Sequence, residues 1–210
     1  MKTPESLHII TINGIIFDAV KLWIVMIQLI KKLITDTINT WTESDIYAIS
    51  LYVYDDCDNP CKPCVTLGYN TERQVRSELS KGEAFDEAEA RWNYAFWLQN
   101  DPLVFGIGGT AKIVRNWVVS SGFPYYDDDD TAWQDDNTIE NTSKITEAFV
   151  SVLIDVVKEI HEQELLTQKF GRELPIIIHE LEYYDEIAKQ NIKANGYETV
   201  KDFSEWCINS

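Results

Sequence analysis

The sequence predicts an α+β fold. A small, mostly antiparallel sheet, made of a hairpin over residues 45–69 and a strand over 174–179, packs against several helices. Three observations carry this. Residues 45–54, Asp-Ile-Tyr-Ala-Ile-Ser-Leu-Tyr-Val-Tyr, are dominated by β-branched and aromatic types, and a two-proline turn over 55–63 returns into a second run at 64–69. Residues 143–168 place Ile145, Ala148, Phe149, Val152, Leu153, Val156, Val157 and Ile160 at spacings of three and four, the apolar seam of a long helix. Other helical stretches outnumber the strands, and no repeat or Gly/Ser/Pro linker divides the chain. Residues 15–210 therefore read as a single domain behind an N-terminal extension at residues 1–14.

The elements follow in order. Ile9–Ile30 is apolar and long enough to span a bilayer, but Asp18 and Lys21 fall inside it and are costly in hydrocarbon. At about 100° per residue, Asp18, Lys21, Gln28, Lys31, Lys32, Thr35 and Asp36 share one arc of about 140°. Leu22, Trp23, Met26, Ile27, Ile30 and Ile34 occupy the wider remainder, while Ile24 and Val25 spill into the polar side. The segment reads as a helix buried in a core or interface, and membrane contact is not expected of it. Lys2 opposed by Glu5 and the lack of a small-residue cleavage site do not make a signal peptide.

Thr71 is placed to cap a helix reaching Leu79, with Glu72 at its positive end. Residues 84–98 read as a helix with Phe85, Ala88, Trp92, Ala95 and Phe96 near one face, stopped by Asn100-Asp101-Pro102. Residues 110–119 form another, closed by Gly122, and 123–141 an irregular acidic loop. Asn141, Thr142 and Ser143 offer caps to the long helix, and Gly171 ends it. Pro175 suits the start of the strand over 174–179; helices over 183–194 and 198–208 close the chain.

The composition narrows the function. The 210 residues carry 35 acidic against 18 basic side chains, a formal net charge of −17. Nucleic acids and anionic membranes are recognised through Lys and Arg, so neither is the expected partner, whereas a basic protein is. The aromatic share of 12% is that of a chain with a core. Four cysteines are too few for a disulfide scaffold of this length, which favours a reducing cytoplasm.

Three patterns can carry chemistry. Cys57, Cys61 and Cys64 have the spacing that holds an iron–sulfur cluster in radical enzymes, or zinc if a fourth ligand joins. However, Pro63 stands before the third cysteine where those enzymes place an aromatic, and repeated βα units are missing. The simpler expectation is a hairpin turn with incidental thiols and no cofactor. His179, Glu180, Glu182 and Tyr183 cluster at a strand-to-helix junction, where a histidine base and carboxylates would suit a hydrolase. The competing reading has the carboxylates favoured by a helix dipole and the histidine half-buried. Gly106 to Thr110 matches neither a dinucleotide nor a phosphate-loop pattern and reads as a turn. The third pattern is Tyr125, Tyr126, Asp127, Asp128, Asp129, Asp130, Trp133, Asp135 and Asp136. It lacks the spacing of a calcium loop. As a docking surface, its carboxylates would steer a basic partner and its aromatics anchor it.

The stretch Lys169-Phe-Gly-Arg-Glu-Leu-Pro-Ile-Ile-Ile-His-Glu-Leu-Glu-Tyr-Tyr-Asp185, with Gly68-Tyr-Asn-Thr-Glu72 and Glu89-Ala-Arg-Trp-Asn-Tyr-Ala-Phe-Trp97, resembles an uncharacterised bacterial family, domain of unknown function 4303. The resemblance covers roughly residues 15–207. It brings no catalytic residues with it, and it implies an association with toxin–immunity systems. The expectation is therefore a non-enzymatic, acidic, protein-binding domain of the immunity type. Its alternatives are a hydrolase using His179, Glu180 and Glu182, and a metal-binding domain built on the cysteines.

Overall fold

β1 (Ile9–Ile12) and β2 (Ile15–Asp18) pair antiparallel, Ile12 opposite Ile15, and α1 (Ala19–Thr40) follows at once. The computed structural model describes residues 9–12 and 15–209, and side chains from Lys21 onward. Most of the expected N-terminal extension therefore lies outside the described residues. The helix expected over Ile9–Ile30 is corrected to a hairpin followed by a helix. Isoleucine-rich runs without alternation leave helix and strand indistinguishable by periodicity. From Lys21 on, the expected faces hold: Leu22, Met26, Ile30 and Ile34 are buried, Lys21, Lys32 and Asp36 are exposed, and so are Ile24 and Val25.

β3 (Ile46–Asp55) leads through a short 3₁₀ turn, Asp56–Asp58, into β4 (Pro63–Thr71). The two are neighbours in a four-stranded sheet, and so short a connection requires them to run antiparallel. Thr71 caps α2 (Glu72–Lys81), its hydroxyl accepting from the Gln74 amide at 3.2 Å. The helix expected over 84–98 is corrected to α3 (Glu87–Trp92) and a separate 3₁₀ turn, Tyr94–Phe96. Asn93 breaks it: its backbone is extended, and its side chain accepts from the Ala95 amide at 3.0 Å. The break turns Trp92 and Trp97 into the same core, whereas Phe85, expected on the buried face, is 94% exposed.

β5 (Leu103–Phe105) adds an edge strand beside β4 that the sequence reading did not contain. α4 (Ala111–Ser120) follows. The expected irregular loop over 123–141 is corrected next. It contains α5 (Asp129–Gln134) and the start of α6 (Asp136–Glu162). On α6 the expected seam is buried apart from half-buried Ala148. Glu164, in left-handed conformation, ends the long helix earlier than expected and starts α7 (Leu165–Phe170), closed by Gly171.

β6 (Ile176–His179) joins the far side of β3 in parallel, Ile49 opposite Ile176 and Tyr52 opposite His179. α8 (Asp185–Asn195) and α9 (Tyr197–Asn209) complete the chain. The sheet order is β5-β4-β3-β6, so the expected α+β class, a small sheet packed against several helices, stands.

The chain forms two units. The first comprises Met1–Ile30, Tyr54–Cys64 and Phe105–Val152; the second comprises Lys31–Val53, Val65–Val104 and Leu153–Ser210. In the first, Trp117 of α4 packs on Phe149 of α6, ring centroids 5.8 Å apart. In the second, Tyr47, Trp92, Trp97, Ile177, Ile187 and Phe203 form a buried cluster. Arg91 ties its rim: the guanidinium grips Glu72 through two bonds of 2.8 and 2.9 Å and lies 4.6 Å over the Tyr47 ring.

Candidate functional site

The acidic cluster of the first unit comes from two segments, of which the sequence reading named one. The β3–β4 turn carries Asp55, Asp56 and Asp58, and its tip is held in an unusual shape: Cys57 and Asp58 both have positive φ, 53° and 55°. Asn59, fully buried, explains how that shape persists. Its side-chain oxygen accepts from the Cys61 amide at 2.9 Å, and its amide donates to the Tyr126 carbonyl at 3.1 Å. Lys62 donates to the Asp127 carbonyl, and the Trp133 indole donates to the Asp58 carbonyl at 2.8 Å. Three side chains thus stitch the turn to residues 126–133.

The predicted residues are brought together around this seam. Asp127, Asp128, Asp129, Asp130 and Asp136 are exposed, and Trp133 remains 48% exposed although its indole nitrogen is bonded. Tyr125, Tyr126 and Asp135 are half-buried. Asp128 accepts from the Thr131 amide at 2.7 Å as the N-cap of α5; hydrogen bonds from the Thr131 side chain first, and then from its amide, lower the Asp128 carboxyl pKa. Asp135 precedes α6 and accepts from the amide and hydroxyl of Thr138 at 2.9 and 2.8 Å. Asp129 and Asp130 sit in the first turn of α5, where the helix dipole favours them. The acidic run therefore forms helix starts instead of an irregular loop. The two segments also feel each other's charge. Cys57 has its thiol pushed up first by its hydrogen bond to Asp56, then by the Asp56 charge, with Asp129 adding to it.

The surface is not uniformly acidic. Arg115 of α4 lies 5.0 Å over the Tyr125 ring and 3.6 Å from the Asp127 carboxylate. With Lys112, Asn116 and Val119 it lines a groove of about 610 Å³ that Tyr125 and Asp127 also border.

The cysteines do not converge as a metal site. Cys57 is exposed, while Cys61 and Cys64 are buried. Among the described residues no group of three His, Cys, Asp or Glu side chains is placed to hold a metal ion. Burial pushes the Cys64 thiol up to about 12. The glycine turn has a packing role: at Gly106, φ 113°, a Cβ would lie 2.7 Å from the Cys64 sulfur.

The cluster at residues 179–183 is in the second unit and does not assemble as the hydrolase reading supposed. His179 is 1% exposed, and Glu182 faces outward. The Glu180 carboxylate lies 3.5 Å from the Tyr184 hydroxyl, and desolvation raises its pKa. His179 instead bonds the Glu180 backbone: Nδ1 donates to the carbonyl at 2.9 Å. Its Nε2 lies 2.8 Å from Ser50 Oγ on β3. Tyr94 and Tyr183 pack their rings on the imidazole at 4.5 and 5.7 Å between centroids. Burial lowers the histidine to about 4, so it is neutral at physiological pH. Ser50 was missed because its strand neighbours gave it no motif. A serine on the face of β3 that β6 shares is the signal that could have found it.

Among the described residues no helix is long and apolar enough to cross a membrane. Comparison of the chain with family models, with curated proteins and with solved structures returned no match.

Proposed function

We propose that the chain is a docking domain that uses its acidic, aromatic-centred surface to bind a basic protein, in the manner of an immunity protein neutralising a cationic toxin. One observation carries the reading. Trp133 is fixed by its bond to the Asp58 carbonyl, between two acid-rich segments, and keeps about half of its surface exposed. A half-exposed tryptophan held between two acid-rich segments has the chemistry of a binding anchor with electrostatic steering around it. The turn adds Asp55, Asp56 and Asp58 to the run Asp127–Asp130, which concentrates charge beyond what either segment provides. Arg115 and Lys112 beside the groove favour a partner that is basic overall but offers a carboxylate or carbonyl at one edge.

The resemblance to the toxin–immunity-associated family points the same way. Free cysteines, three of them buried, support a reducing, cytoplasmic compartment. The test is co-expression with basic toxin candidates from the gene neighbourhood, followed by co-purification. The wild type is expected to protect cells and to co-purify with one candidate, and Asp127–Asp130→Asn is expected to weaken both. Equal protection by the variant would overturn the reading.

A further inference from the structure

We propose that Ser50 and His179 form a latent acyl-transfer site, closed by Asn100, that acts on small carboxylic esters when Gln99 and Asn100 move aside. This goes beyond the docking role and uses none of its residues.

The pair has the arrangement of an activated nucleophile. Ser50 Oγ is 2.8 Å from His179 Nε2. The partner of Nδ1, at 2.9 Å, is the Glu180 carbonyl oxygen, which can only accept. The ring proton therefore sits on Nδ1, and the Nε2 lone pair faces the serine hydroxyl, which donates to it. Nucleophile, base and a third group orienting the base are all in hydrogen-bond reach. The sheet enforces the geometry: Ser50 pairs with Ile177 and Tyr52 with His179 in the parallel register, so serine and histidine are diagonal neighbours on one face.

The neighbouring strand leaves room above the serine. Gly68 of β4 has no side chain, and Asn100 occupies that space. Its carbonyl and side-chain oxygens lie 3.1 and 3.2 Å from where a Cβ would stand, and the Ser50 Cβ lies 3.9 Å away. Asn100 is tied to β4, its Oδ1 accepting from the Tyr69 amide at 3.0 Å. The residue before it, Gln99, is exposed and has φ 50°, a left-handed conformation that costs energy for a residue with a Cβ. Tyr69 and Asn100 line two spaces at once. One is the closed space containing Ser50, Tyr94 and Trp97; the other is a groove of about 410 Å³ bordered by Glu43, Arg73, Gln74 and Leu98. Asn100 is thus a wall between an open groove and the serine, and a strained residue adjoins it.

In the reaction, Ser50 Oγ attacks the ester carbonyl carbon while its proton passes to His179 Nε2. The bond from that carbon to the alkoxide breaks, and the alcohol leaves with the proton. Water then attacks acyl-Ser50 by the same route and releases the carboxylic acid.

The experiment incubates the full chain with a fluorophosphonate probe and locates the adduct by tandem mass spectrometry. The Ser50–phosphorus bond forms as the phosphorus–fluorine bond breaks, and fluoride and the serine proton depart. The expected result is slow labelling of Ser50 in the wild type, severalfold faster in Asn100→Ala. Labelling is expected to disappear in Ser50→Ala and to fall about a hundredfold in His179→Gln. Circular dichroism establishes that each variant is folded. No adduct on Ser50 in either the wild type or Asn100→Ala overturns the proposal. So does an undiminished labelling rate in folded His179→Gln. If His179→Gln does not fold, the comparison of wild type with Asn100→Ala decides alone.

Discussion

Asn191 of α8 holds the backbone of Ile178 at both of its polar atoms: its side-chain oxygen accepts from the Ile178 amide at 2.8 Å, and its amide donates to the Ile178 carbonyl at 2.7 Å. One turn on, Asn195 repeats the pattern with Ile176 at 2.8 and 2.9 Å. In a parallel strand alternate residues aim their backbone groups to the same side. Ile176 and Ile178 aim theirs away from β3, and two asparagines four residues apart on a helix take the place of a further strand. The edge that would otherwise recruit another chain is satisfied internally.

Asn191→Leu is therefore expected to cost about 1–3 kcal/mol, because it leaves the buried Ile178 amide without a partner, while the Ile178 carbonyl keeps the bond it accepts from Gln190 Nε2 at 2.9 Å. Urea denaturation of the wild type and variant measures it. A loss below about 0.5 kcal/mol would show that the strand edge does not depend on this side chain.

Gly106→Ala is expected to destabilise by about 2 kcal/mol or more. It combines a positive φ with a Cβ pressed against the Cys64 sulfur and backbone. Gly109→Ala is the control, since its Cβ would meet nothing within 4 Å and its φ is ordinary, so the midpoint of thermal unfolding should stay close to that of the wild type. Equal shifts in the two variants would contradict this.

Stability should fall as the solution is acidified from about pH 6.5 toward pH 4. The folded state holds His179 neutral to about 4, whereas the unfolded chain takes up the proton near the ordinary value of 6.5. The contribution is fully present above the unfolded value and is lost as pH drops through the folded one. Its size is about 3 kcal/mol, at about 1.4 kcal/mol for each pH unit of displacement. Denaturation midpoints at closely spaced pH values, compared with those of His179→Gln, isolate it. The variant should show a flatter profile over that window, and an unchanged slope would remove His179 as the cause.

How much of this was legible in the sequence depended on the range of the interaction. The seam from Ile145 to Ile160, the Thr71 cap and the hairpin over residues 45–69 come from local periodicity and turn chemistry, and they stand to within two residues at the strand ends. The break at Asn93 was not legible, because it follows from packing two tryptophans into one core. The acidic run was read as a solvated loop because four aspartates in a row repel in an unfolded chain. In the fold, Asp128 finds the Thr131 amide and the run becomes a helix start. Ser50 and His179 are 129 residues apart, and only the parallel pairing of β3 with β6 makes them neighbours. The charge of the docking surface was half legible: Asp127–Asp130 stood out, but the second segment joined only through Asn59, Lys62 and Trp133.

The most direct test of the docking account is the association kinetics of the chain with the basic partner recovered by co-expression, read at several ionic strengths. Asp127–Asp130→Asn should slow association about tenfold or more at low salt, with dissociation little changed, and the effect should shrink as salt screens the charges. Trp133→Ala should leave the association rate alone and speed dissociation about thirtyfold or more, as expected of a central anchor. Association that is indifferent to salt and to the four substitutions, with dissociation unaffected by loss of Trp133, would contradict the account.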